Sequence, residues 1–345
     1  MNIYDVAKAA GVSAATVSYV INGKKGKVSK EKAQEILRVM KTLGYVPDHA
    51  AISLTTGKSQ LLGMCLPLND VSDAFVANPF YAEFYSNFLE EAKKEGYDVV
   101  IGSIRKQADL ESWVRARKLD GLVLFGFYSS SVYSMLRKLK IPTVLVDVYD
   151  EPSGNFSIVR TNDRKGGYLA TDYLIQQGHR NIGFIGGSMK DSILDQKRFE
   201  GYEVAMRMHG LQSRPDWIFS TYTSLEGGCE MAVPVSKKIG EITAIVCDAD
   251  IIAIGLVRKL TELGYSIPKQ LSVIGFDDIV PCTYFYPPLT TIRQDIAFKG
   301  TKSARVLLDL ISGKSEATET VVSEPKVISR ASVLKIENEN AYKNF

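Results

Sequence analysis

Two hydrophobic rhythms divide the chain. Over residues 1–45 apolar positions recur at helical spacing in three short stretches. The first, Ile3 to Ala10, runs into Gly11, a residue suited to a left-handed helix stop. Ser13 has the side chain to cap a second helix reaching about Asn22, and Ser29 to cap a third. In the third, Ala33, Ile36, Leu37, Met40 and Leu43 form one stripe that ends at Gly44. The lysine-rich run 23–27 reads as a loop between them. Residues 46–60 contain no long apolar run. Pro47 opens a short potential helix over 48–54, and Thr55-Thr56-Gly57-Lys58-Ser59 follows as a joint.

From Leu61 onward the rhythm changes. Short apolar runs at 61–66, 98–102, 121–125, 143–146, 182–185, 244–247 and 272–275 alternate with helical stretches such as 80–95, 163–177, 195–209 and 250–263. That alternation predicts α/β structure, parallel sheets with helices on both faces. Its length predicts two doubly wound lobes rather than one. The expected organisation is an all-α helix-turn-helix head at 1–46, a hinge helix and linker at 47–60, and a body at 61–334. Within the body, lobe 1 takes about 61–161 and 293–322, and lobe 2 about 162–290 and 323–334, leaving 335–345 as a polar tail.

Charge sharpens this division. The net charge is only +3, yet residues 1–60 hold eight lysines and one arginine against four acids, so the head is basic and the body slightly acidic. A head of that kind meets a polyanion and the body does not. Cys65, Cys229, Cys247 and Cys282 form no C-x-x-C pair and suit a reducing compartment. His49, His179 and His209 lack metal-ligand spacing. No secretory start and no membrane-length apolar run is present, so a cytoplasmic protein without membrane partner, metal or cofactor is expected.

In the head, Gly11-Val12-Ser13 supplies the tight turn of a helix-turn-helix, with Val6, Ala10, Val12, Val17 and Val20 facing inward. Ala14, Ala15, Ser18 and Tyr19 are left for the groove side: alanines for thymine methyls, Tyr19 for a base edge or a phosphate. Ser13, Thr16 and Asn22 are phosphate donors. Spacing alone leaves open a three-helix bundle that binds nothing. The run Ile3-Tyr4-Asp5-Val6-Ala7-Lys8-Ala9-Ala10-Gly11-Val12-Ser13, then Ala15-Thr16-Val17-Ser18-Tyr19-Val20-Ile21-Asn22-Gly23 and Leu43-Gly44-Tyr45-Val46-Pro47, closely resembles the N-terminal signature of the lactose-repressor/galactose-repressor (LacI/GalR) family. The resemblance implies a transcriptional repressor, a homodimer on near-palindromic double-stranded operator DNA, with Tyr4 among the contacting residues. It also implies that Leu54 wedges into the minor groove. Two departures stand out: the basic loop is one residue longer than usual, and Ile52 replaces a common arginine.

The resemblance continues to about residue 334. It rests on Asn78-Pro79-Phe80-Tyr81, on Gly178-His179-Arg180-Asn181-Ile182-Gly183-Phe184-Ile185-Gly186-Gly187, on Arg198-Phe199-Glu200-Gly201-Tyr202, on Val273-Ile274-Gly275-Phe276-Asp277-Asp278 and on Pro288-Leu289-Thr290-Thr291-Ile292. It implies the fold of periplasmic sugar-binding proteins, whose cleft holds a small-molecule effector, here a carbohydrate. Residues 70–77 read as an insertion at the cleft mouth. Arg198 and Asp277 match the family positions that bond sugar hydroxyls. Asp147 ends a first-lobe strand, where open sheets place ligands, and Phe80 and Tyr222 offer stacking faces. Each of these could instead serve a salt bridge, a turn or a core. Ala249 stands where the family commonly has a ligand-contacting asparagine; Asp248 is the neighbour able to compensate, and Asp250 reads as a helix N-cap. An enzyme finds little support. Asp277-Asp278 has no partner carboxylate at a defined spacing, no nucleophile has a base, and no nucleotide motif is present, so no catalytic residue is assigned.

Overall fold

The computed structural model describes residues 1–22, 24, 26–46, 57–66, 78–103, 107–126, 129–149, 156–187, 192–315 and 317–336. The hinge positions Pro47, Ile52 and Leu54, Lys25 of the basic loop and the 70–77 insertion lie outside the described residues.

The head consists of α1 (Ile3–Ala9), α2 (Ala14–Ile21) and α3 (Lys30–Leu43). Asn2 and Asp5 form a reciprocal capping box at the start of α1. Ser13 Oγ accepts from Thr16 N at 3.1 Å, and Ser29 Oγ from Lys32 N at 3.3 Å, so both predicted serine caps are in place. Val6, Ala7, Ala10, Val17, Ile36 and Met40 close a small core. The stripe predicted on α3 is rotated slightly: Leu37 is 52% exposed, while Val39 packs against the core in its place.

The body has two six-stranded sheets. The first contains β1 (Leu61–Leu66), β2 (Asp98–Ser103), β3 (Gly121–Phe125), β4 (Thr143–Val146), β5 (Ser157–Thr161) and β11 (Thr320–Ser323), in the order β11-β5-β4-β3-β1-β2. The second contains β6 (Ile182–Gly186), β7 (Ile218–Ser220), β8 (Ala244–Cys247), β9 (Ser272–Asp277), β10 (Thr290–Arg293) and β12 (Lys326–Ile328), in the order β12-β10-β9-β8-β6-β7. Every pairing is parallel except β10 with β12. The central strands are buried on both faces, which is why they read as continuous apolar runs rather than alternating ones.

On the first sheet, α4 (Pro79–Lys94) packs beside α12 (Ile296–Ser312) on one face, while α5 (Gln107–Arg117) and α6 (Ser130–Leu139) cover the other. The second sheet is covered by α7 (Asp163–Gln176) with α8 (Ile193–Met208), and by α9 (Leu225–Ser236) with α10 (Asp250–Glu262); a short helix, α11 (Pro281–Tyr284), follows β9. Between the sheets the chain crosses after β5, after β10 and after β11. The crossings carry Asn162, Gln294 and Glu324, and they bring the C-terminal strand ends of the two sheets toward one cleft.

One packing detail places the site. A Cβ on Gly167 of α7 would lie 1.9 Å from the Arg198 carbonyl oxygen, and one on Gly201 of α8 would lie 2.1 Å from that of Arg164. Only glycines let these helices approach backbone to backbone, and that approach carries Arg198 to the sheet's edge.

Candidate functional sites: the head and the interlobe cleft

The head turns Tyr4, Ser13 and Ala15 outward; Tyr4 is 72% exposed. Ala14 is half-buried against the head core. Ser13 Oγ also pairs with Thr16 Oγ1 at 2.9 Å, so the cap and the second hydroxyl form one unit at the start of α2. At the other end of the helix Asn22 Nδ2 donates to Ser18 Oγ at 3.1 Å. Tyr19 is half-buried, with Lys24 Nζ 5.5 Å from its ring centroid, which sets a cation beside the phenol.

In the cleft the centre is Arg198 of α8, buried to 5% exposure. Its Nε donates to Asp163 Oδ1 at 2.8 Å and its Nη1 to the Asp248 carbonyl at 2.5 Å. The guanidinium stacks 3.7 Å from the Phe276 ring centroid and lies 3.9 Å from Asp277 Oδ1. From the first lobe, Tyr149 Oη donates to Asp163 Oδ2 at 2.5 Å. A second cation, Lys299 of α12, is fully buried and donates to Asp147 Oδ1 at 2.6 Å and Gln294 Oε1 at 2.5 Å. Gln294 in turn donates to Asp277 Oδ1 at 2.5 Å and accepts from Thr161 Oγ1 at 3.1 Å. A polar chain thus runs from Asp147 through Lys299, Gln294, Asp277 and Arg198 to Asp163 and Tyr149, joining the lobes.

The backbone is strained here. Asp147 has φ 58°, Asp277 φ 126° and Asp278 φ 64°, a region that non-glycine residues rarely occupy and that concentrates at ligand sites. Burial pushes the Asp277 carboxyl up to about 8, with Arg198 opposing. Burial also raises Asp147, against the charge of Lys299.

Of the residues singled out from sequence, the structure brings Asp147, Arg198, Asp248 and Asp277 together. Phe80 is buried beneath Lys299, edge-on to Tyr81 and Phe125. Its neighbour Tyr81 feels the cleft charges more directly: burial, then Asp147, Asp277 and Asp195, raise its hydroxyl pKa. Tyr222 does not join the group; it is 49% exposed and donates to Glu230 at 2.8 Å. Asp250 is not the N-cap of α10, a place taken by Ala249. Its carboxylate instead accepts from Asp278 N, Ile279 N and Thr291 Oγ1, bracing the loop after β9.

Sequence reasoning missed Asp163, Tyr149, Gln294 and Lys299. The signal for two of them was present. Lys299 falls in the buried stripe Ile296, Gly300, Ser303, Ala304, Leu307 of α12, and Asp163 in the stripe Gly166, Gly167, Ala170, Leu174 of α7. A charge on the apolar face of a helix is expensive unless it is paired.

A helix-turn-helix head on a two-lobed body with a charged interlobe cleft defines the class of ligand-responsive DNA-binding regulators. Comparison with known proteins agrees. Residues 2–48 match the model for bacterial regulatory proteins of the lacI family, and residues 171–333 that for a periplasmic binding protein-like domain. The HTH-type transcriptional repressor PurR of Histophilus somni is 32% identical over 342 residues, covering 96% of this chain and 98% of that protein. The ribose operon repressor of Haemophilus influenzae is 32% identical, covering 96% and 98%. A solved LacI-family regulator from Enterococcus faecium with bound ribose superposes with a TM-score of 0.70 at 26% identity, over 80% of this chain and all of that one. The chain belongs to the lacI family of bacterial regulatory proteins and is a DNA-binding transcriptional regulator. Among the described residues no helix is long and apolar enough to cross a membrane.

Proposed function

We propose that the protein is a cytoplasmic repressor that binds a near-palindromic operator as a homodimer, and that a carbohydrate held between its lobes sets its affinity for DNA. The head is taken as 1–46, the hinge and linker as 47–60 and the body as 61–334. One head per chain reads only half of a two-fold site, so two chains are needed. Val280, Tyr284 and Tyr286, which are 62%, 83% and 90% exposed, are large apolar side chains set close together in sequence after β9 that a second copy of the chain would cover. Ala14, Ala15, Ser18 and Tyr19 are proposed to read bases, and Tyr4, Ser13, Thr16 and Asn22 to hold phosphates, with Leu54 as the minor-groove wedge.

The observation that carries the effector reading is the Arg198 assembly. A guanidinium stacked on Phe276 and flanked by Asp163, Asp248 and Asp277 offers charge-assisted donors and acceptors at fixed angles, the chemistry that vicinal hydroxyls require. The bound ribose of the Enterococcus faecium relative and the name of the ribose operon repressor support a sugar. A regulatory rather than catalytic role is supported by Asp278. Its carboxylate is engaged by Arg293 at 2.5 Å and Arg330 at 2.6 Å, so it does not form an acid–base pair with Asp277.

The test is fluorescence anisotropy on genomic fragments at physiological salt, with and without a sugar panel headed by ribose. Selective binding to one fragment that a sugar shifts is expected. Equal affinity for every fragment, or a selective affinity that no sugar alters, would refute the reading.

A further inference from the structure

The cleft gathers five carboxylates, Asp147, Asp163, Asp195, Asp248 and Asp277, around two buried cations, Arg198 and Lys299. Asp163 and Asp277 lie within 4 Å of Arg198, and Asp147 lies beside Lys299. Among the described residues neither Asp195 nor Asp248 has a cation at such a distance. Lys190, which precedes α8 in sequence, is outside them.

These two acids sit together on the floor of the second lobe. Asp248 follows β8 and is 1% exposed; Asp195 lies in the first turn of α8 and is 8% exposed. Both rest over Gly186, the last residue of β6, and Gly187, which follows it. A Cβ on Gly186 would fall 2.5 Å from Asp248 Oδ2, and one on Gly187 would fall 2.0 Å from Asp195 Oδ2. The space that side chains would fill is taken by two carboxylates. Asp248 Oδ2 accepts from Gly187 N at 2.9 Å and the Asp195 and Asp248 carboxyls are hydrogen-bonded to each other, whereas outside that pair Asp248 Oδ1 meets no donor among the described residues. A buried carboxylate oxygen left without a donor is destabilising. Burial, then the charge of Asp195, hold the Asp248 carboxyl well above its usual range, and burial raises Asp195 as well.

We infer that Asp195 and Asp248 form a subsite for a protonated amine, so that the effector is an amino-bearing polyol and not a sugar phosphate or sugar acid. This rests on the reading of the cleft as the effector site and narrows it. An ammonium group supplies a donor for the free Oδ1 and a positive charge that favours the ionised form of the pair, which burial and mutual repulsion otherwise oppose. A neutral hydroxyl supplies only the donor. A phosphate adds like charge to a buried acidic surface and is rejected.

The test is calorimetric titration of the full-length protein with glucosamine, galactosamine and the amino-alditol glucamine, each beside its hydroxyl counterpart, and with glucose 6-phosphate. At least one amine should bind more tightly than its counterpart by about tenfold or more, the scale of a bond to a charged group. The phosphate should not bind. Asp248→Asn keeps an acceptor for Gly187 N and removes the charge; it should erase the amine preference, so that amine and hydroxyl forms bind alike. Asp195→Asn should do the same, and circular dichroism should show both variants folded. Absence of binding by every amine, equal affinity for amine and hydroxyl forms, tight phosphate binding, or a preference that survives both variants would overturn the inference. Arg198→Ala separates the two levels. Loss of all binding there, with the amine preference intact in Asp248→Asn, leaves the cleft as the site and removes only the amine subsite. Unchanged binding in Arg198→Ala removes the cleft reading itself.

Discussion

Tyr149 and Asp163 join the two lobes directly: the phenol of the first lobe donates to the carboxylate that opens α7 of the second, at 2.5 Å. The same Asp163 accepts from Arg198, so one carboxylate serves both the bridge between lobes and the guanidinium of the cleft. An effector that reorients Arg198 therefore alters the bond holding the lobes together. Differential contact of this kind is what allows a ligand to shift a conformational equilibrium.

Tyr149→Phe keeps the ring and removes the donor. Loss of a hydrogen bond to a charged group is expected to lower stability by about 1.5–3 kcal/mol. Urea denaturation followed by circular dichroism measures it; an unchanged midpoint would show that the bridge contributes nothing to holding the lobes.

The raised Asp277 carboxyl makes stability depend on pH in a defined window. Its folded pKa of about 8 lies above the ordinary 3.8, so the folded chain binds this proton more tightly than the unfolded chain between those values. Its contribution is therefore greatest below pH 3.8 and declines as pH rises toward 8. Asp277→Asn should flatten that decline, and asparagine also tolerates the left-handed backbone at this position. Thermal unfolding of both proteins across the window is the check. Parallel curves would contradict the assignment.

His179 titrates in the opposite sense. Burial lowers its pKa to about 4, and its ring nitrogens are engaged by Thr243 Oγ1 at 2.9 Å and the Leu334 carbonyl at 3.0 Å. Its neutral form is held in the fold, so stability present above pH 6.5 is lost as pH falls toward 4. An NMR titration of the His179 imidazole should remain neutral at pH 6. A midpoint near 6.5 would show an exposed ring and a detached C-terminal segment.

In the head, Ser13→Ala removes the cap of α2 and the partner of Thr16. The expected loss is about 1 kcal/mol of head stability, with weaker binding to all DNA sequences alike. Denaturation together with anisotropy on specific and random duplexes tests this; a change confined to one sequence would make Ser13 a base reader.

The strands at Leu61–Leu66, Gly121–Phe125, Thr143–Val146 and Ala244–Cys247 were legible because strands buried on both faces have to be continuously apolar. Strands β5, β11 and β12 were not: in β5 the buried Ser157 and Thr161 and the half-buried Arg160 interrupt the apolar pattern, and β11 and β12 are short edge strands where Thr320 and Lys326 meet water. The cleft divides along similar lines. Arg198 and Asp277 stood in recognisable motifs, whereas Gln294 and Tyr149 look like ordinary surface residues until the crossing after β10 and the connection after β4 bring them to the cleft. Tyr222 carried a suitable ring, but nothing in the sequence told which way the loop after β7 turns it.

The measurement closest to the central claim is operator affinity of wild type, Arg198→Ala and Asp277→Asn, each with and without the sugar that shifts the wild type. Asp277→Asn is included because removing Arg198 leaves Asp163 buried without its cation. An effector held in the cleft predicts that the ligand changes wild-type operator affinity by about 1–3 kcal/mol, that neither variant responds at the same ligand concentration, and that ligand-free affinity is the same in all three. A full response by either folded variant would place the effector elsewhere in the body.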